Sequence, residues 1–180
     1  MTTINHPGTA TPPQASEFWR GVLRAGGRTE IPRWTSRPGP GTASCAAAIP
    51  ADLAMRLRGL AAELAVPLSS VVLAAHVKVL AALTGEQQVT AGYVTGPGGP
   101  VLPCVLAVGP GSWRTLLLAA SRTETALLAY QGVRLADLGR ELGLTGPQFE
   151  TALDPAGDDG EVTKDTVLFA GLLRDRKSVV

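Results

Sequence analysis

Apolar residues recur along this chain at two alternating spacings, about 3.6 residues for helices and 2 for strands. From Pro50 to Leu64, the residues Leu53, Leu57, Leu60, Ala61 and Leu64 share one helical face. Asp52, Arg56 and Glu63 lie on the other, which predicts a surface helix with one side buried. The next segment, PLSSVVLAAHVKVLAALTG, predicts a helix capped by Ser69 or Ser70 and ended by Thr84-Gly85. Val71, Val72, Ala74, Ala75, Val79, Leu80 and Leu83 leave it almost no polar face, the pattern of a central, covered helix. Ser112 is placed to cap a third long helix reaching about Tyr130, with Trp113, Leu116, Leu117, Ala120, Leu127 and Leu128 on one face. Two shorter helices are expected. One is capped by Ser16, carries Phe18, Trp19, Val22 and Leu23, and stops at Gly26-Gly27; the other is RLADLGRELG.

Between the helices, TASCAAAI, QVTAGYVTG, VLPCVLAV and DTVLFAGLL read as strands. Pro103 within the third suits an edge or a bulge. GPGGP between the second and third predicts a hairpin-like turn; its prolines remove amide donors and no GK[ST] follows, so it is not a phosphate loop. RTEIPRWTSRPGPGT reads as an extended linker. TALDPAGDDGEVTKD reads as an acidic loop, too irregular for an EF-hand. Alternating helices and strands place the fold in the α/β or α+β class.

Composition narrows the function. The 180 residues suffice for one domain with a real core. A net charge of +1 with 17% charged residues gives no electrostatic reason for a nucleic-acid partner. Cys45 and Cys104 stand far apart without CxxC or histidine neighbours, so they are expected as reduced core thiols rather than a disulfide or metal site. MTTINHPGTATPPQASEF lacks the basic and apolar regions of a signal peptide. The apolar run Val71–Leu83 contains His76 and Lys78 and is too short to cross a bilayer. A soluble cytoplasmic chain is expected. Lysine occurs only at 78, 164 and 177, and with abundant Ala, Gly and Arg this suggests a GC-rich genome.

Few residues offer chemistry. His6 and His76 are the two histidines, and His76 is expected to be a packing histidine satisfied by one hydrogen bond. Glu124 falls in the middle of an apolar helix face, where an acid needs a partner, an arginine across an interface or a functional one. No catalytic residue, metal ligand or cofactor-binding residue is assigned.

The order of segments resembles a known family. Phe18-Trp19-Arg20, the Pro-rich linker, the paired helices ending in Thr84-Gly85, Gly92 in the next strand, Leu102-Pro103, and Tyr130-Gln131 after a long helix are similar to the second half of the condensation domain of nonribosomal peptide synthetases. The resemblance runs from Glu17 to Leu173. It implies an α/β sandwich, a single chloramphenicol-acetyltransferase-like lobe with helices packed on a mixed sheet. The family's catalytic motif, two consecutive histidines with a downstream Asp-Gly, belongs to the first half and is absent from this sequence. The approach to the Leu102-Pro103 strand, GPGGPVLPC, is also shorter than the family's. His76 then falls on a packing helix. The resemblance therefore implies a non-catalytic, truncated condensation-like lobe. Its expected partner is the adenylation domain it would precede, with a carrier protein as a further one. The alternatives are a lobe completed by a partner chain to transfer acyl or aminoacyl groups, and an unrelated α/β binding protein.

Residues 1–15 are expected to be a flexible lead-in and 16–174 the condensation-like domain. The final six, Asp175–Val180, change character and can be encoded by a common sequencing-adapter sequence read in frame, so they are expected to be a non-native tail. A lobe cut there would leave Val167 and Phe169 partly uncovered.

Overall fold

The computed structural model describes residues 13–33, 35, 37, 41, 43–146, 148–156 and 168–171. Within them the elements are α1 (Pro13–Ala25), α2 (Ala51–Glu63), α3 (Leu68–Thr84), β1 (Gln88–Val94), β2 (Val101–Ala107), α4 (Trp113–Ala129), α5 (Leu135–Glu141), β3 (Thr151–Asp154) and β4 (Leu168–Gly171). The strands form one mixed sheet in the order β2-β1-β3-β4. β1 and β2 are antiparallel, whereas β3 runs parallel to β1 and β4 parallel to β3. Pro103 sits in an edge strand, where a missing amide proton is tolerated. GPGGP makes the β1–β2 hairpin turn, closed by Thr95 N–H to the Pro100 carbonyl at 3.3 Å and Gly99 N–H to the Gly96 carbonyl at 2.8 Å.

Strand alternation sorts the side chains. Val89, Ala91 and Tyr93 lie opposite Leu106, Cys104 and Leu102, and all six are buried on the face beneath α3 and α4. Leu73, Ala74, Val77 and Leu80 from α3 and Leu117, Ala120 and Leu127 from α4 complete that core. α1 lies against β2 and α5, with Trp19 fully buried. The other sheet face receives Phe149, whose ring approaches Gly92 so closely that a Cβ there would sit 2.6 Å from it.

Several expectations are corrected. α1 begins at Pro13, so Ser16 is inside the helix; proline's fixed φ suits the first helical position. Residues 1–12 lie outside the described residues. Residues 43–49 of TASCAAAI form no strand and are exposed, as is Cys45; Cys104 alone is a core thiol. With four alanines and no large apolar side chain before Ile49, that segment has little to bury. Pro67, not Ser69 or Ser70, stands at the N-cap of α3, and no side chain caps it.

α3 is buried on one side only. Val79 is 56% and Leu83 50% exposed, so its apolar residues do not mean cover all round. Trp113 and Leu128 on α4 are likewise exposed. The largest correction is β3, which falls where an acidic loop was expected. β4 lies within the predicted strand; Phe169 is half-buried, and Val167 and residues 175–180 lie outside the described residues.

Candidate functional site

The buried polar groups converge beneath the sheet. α4 is set by Ser112, which accepts a hydrogen bond from the Thr115 amide at 3.1 Å, and three turns later it presents Glu124 to the core. Glu124 is 4% exposed and accepts from two hydroxyls, Ser70 Oγ of α3 on one carboxylate oxygen and Tyr93 Oη of β1 on the other. The expected arginine is not the partner. A carboxylate bonded by two donors can remain in the interior where an unpartnered one would not. Ser70 is thus a core donor, which explains why its hydroxyl is unavailable as a cap.

The surroundings fix protonation. Burial, then the hydrogen bond to Glu124, holds the Tyr93 phenol far above its ordinary range. Burial and the nearby Glu124 carboxylate push the Cys104 thiol up to about 12, so it is neither nucleophile nor metal ligand at neutral pH. His76 is not part of this cluster, being about a third of a turn from Ser70 around α3. Burial lowers its imidazole to about 4, and its Nε2 is buried with no hydrogen-bond partner among the described residues. The expected single bond is therefore not made by Nε2. Among the described residues no cluster of three or more His, Cys, Asp or Glu could hold a metal, and no single helix is long and apolar enough to cross a membrane.

A second buried acid was not singled out in the sequence. Glu150 has no exposure, accepts from the Ile31 amide, and pairs with Arg33 at 2.8 Å and Arg28 at 3.3 Å. Its only sequence signal is a charge between Phe149 and the short apolar run of β3.

The first condensation domain of the CDA synthetase superposes on this chain with a TM-score of 0.59 at 25% identity, over 81% of this chain and 35% of that one. This is the condensation-domain fold. The same domain with a substrate analogue gives a TM-score of 0.56 at 25% identity, over 81% of this chain and 37% of that one. The starter condensation domain of rhizomide synthetase, with C8-CoA bound, shares the fold at a TM-score of 0.58 and 23% identity, over 83% of this chain and 37% of that one. The chain spans little over a third of the length of these condensation-domain structures. No protein-family model matches the sequence, and no curated protein does.

Several of the residues that carry the resemblance to condensation domains pair in space. Gly92 pairs with Pro103 and Tyr93 with Leu102 across the hairpin. Thr84-Gly85 ends α3, with Gly85 left-handed at φ 77°. Trp19 Nε1 donates to the Tyr130 carbonyl at 2.9 Å, joining the Phe-Trp helix to the Tyr-Gln corner. Phe18 lies against both rings, each centroid 5.1 Å away.

Proposed function

We propose that the chain is a condensation-type lobe of a nonribosomal peptide synthetase, acting in the cytoplasm as a platform for an adenylation domain rather than as a catalyst. The observation that carries this reading is the state of its buried acid. Glu124 is enclosed by Ser70 and Tyr93 instead of facing a substrate, so it braces α3, α4 and β1. His76, its imidazole held neutral and off this cluster, has no acid beside it in sequence to make it a general base. The Asp-Gly following paired histidines, which amide formation in this family implies, does not occur in the sequence. A lobe with the fold but without that motif is suited to docking.

The test is a mixing experiment with a purified adenylation domain of a nonribosomal peptide synthetase. Sedimentation should show a one-to-one complex, while amide formation between loaded carrier proteins stays at the level of a His76→Ala control. An unchanged sedimentation coefficient would overturn the platform reading.

The second reading, a lobe completed by a partner chain for acyl or aminoacyl transfer, is favoured by one feature. Val79 and Leu83 form an exposed apolar stretch on α3 of the kind a partner covers. Turnover that arises only when a chain bearing the paired histidines is added would establish that alternative.

A further inference from the structure

The sheet is attached unevenly. β1 and β2 pair along seven residues, from Gln88↔Ala107 to Val94↔Val101. β1 and β3 share two pairs, Gly92↔Ala152 and Tyr93↔Leu153. Yet all of Thr151–Asp154 is buried. The backbone ladder is therefore short, and the apolar attachment beside it comes from Leu153, which lies in the buried cluster with Val89 and Leu102.

A further attachment sits at Glu150, the residue before β3. Its fully buried carboxylate accepts from the Ile31 amide and from Arg33 and Arg28, and its carbonyl accepts from the Leu168 amide of β4 at 3.3 Å. One residue therefore joins segment 28–33, β3 and β4. That segment has neither helix nor strand. It is fixed to the inner sheet separately, because Thr29 Oγ1 donates to Glu86 at 2.6 Å and accepts from the Thr90 amide at 2.9 Å. Arg28 also lies 3.7 Å from Glu30. The arginine side chains are 40% and 46% exposed while the carboxylate has no exposure, so solvent reaches only the cationic side of the contact.

We infer that residues 28–33 are an ion-held strap: Glu150 gripping it docks β3–β4 on β1, and release opens the outer strands as a unit while β1, β2, α3 and α4 stay folded. Local units of a domain open independently when few contacts join them to the rest. A buried carboxylate stays in place only while its donors do. Opening would also lift Phe149 from Gly92, because Phe149 directly precedes the gripped residue.

Native-state hydrogen exchange on the full chain tests the strap. In Glu150→Gln, the amides of Thr151–Asp154 and Leu168–Gly171 should exchange roughly tenfold or more faster, with β2 and α4 unchanged. Wild-type protein at about 1 M salt should shift the same way by less, because screening then acts within about 3 Å of the half-exposed arginines. Equal acceleration in both halves, or none in either, overturns the proposal. Should Glu150→Gln fail to fold, Arg28→Gln with Arg33→Gln gives the same two readings with the carboxylate kept.

Discussion

The two central strands, β1 and β3, reach a similar degree of burial by partly different means. β1 and β2 are covered by α3 and α4, whose leucines, valines and alanines make one apolar cluster with Val89, Ala91, Leu102 and Leu106. β3 adds only Leu153 to that cluster, and Glu150 and two arginines from a segment more than a hundred positions earlier hold its start. Side-chain packing is non-directional and written locally as periodicity. An ion-pair anchor is directional and long-range, and leaves no period. A structure can therefore hide a central strand in a stretch that reads as loop.

Breaking the inner half should have the largest effect. Leu80 is wholly buried, and Leu80→Ala should destabilise the chain by about 2–5 kcal/mol in denaturant titration. A change within error would mean that α3 does not organise the core. Glu124→Ala comes next, at about 1–3 kcal/mol, because it strands the Ser70 and Tyr93 hydroxyls in the interior. Glu124→Gln should recover part of the loss, since its amide oxygen still accepts one of the two bonds.

A pH titration sharpens the comparison further. The His76 imidazole is lowered from 6.5 to about 4 in the fold, so between these values the unfolded chain binds the extra proton. Stability should be full above 6.5 and fall as pH drops towards about 4. The His76 share is on the order of 1 kcal/mol by about pH 5, allowing for the ring's partial exposure. His76→Gln should flatten that slope, and an unchanged slope would show that the ring is not desolvated. The smallest effect belongs to the outward side of α3. Val79→Lys should alter stability by no more than about 0.5 kcal/mol, because Val79 is 56% exposed; a larger loss would show that this face is covered in solution.

These two modes of attachment also explain what was legible. α2, α4, α5, β1, β2 and the Gly85 stop follow from spacing and end signals, and the match to condensation domains bears out the segment order read from Phe18-Trp19 to Tyr130-Gln131. Glu124 was legible as a buried acid, because a charge in an apolar face is a local anomaly. Its partners were not, since Ser70 and Tyr93 are 54 and 31 positions away and hydroxyls announce no charge. The one-sided burial of α3 was also hidden: an apolar helix surface states what water disfavours, not whether anything covers it. Ser16 and Ser70 misled for a related reason. A serine before an apolar run can cap, but α1 opens on Pro13 and Pro67 already occupies the N-cap of α3.

The contact between Gly92 and Phe149 has a consequence for descent. A side chain at 92 would strike the ring 2.6 Å away and Val101 at 2.8 Å, so position 92 can acquire a β-carbon only in a lineage where position 149 has become smaller or turned aside and Val101 has given way as well. Phe149, in turn, precedes Glu150 and inherits the constraint on where the strap is gripped. The two positions should therefore change together among descendants of this chain. A pair that varies jointly across fifty-seven residues would mark, in sequence alone, the strand that periodicity conceals.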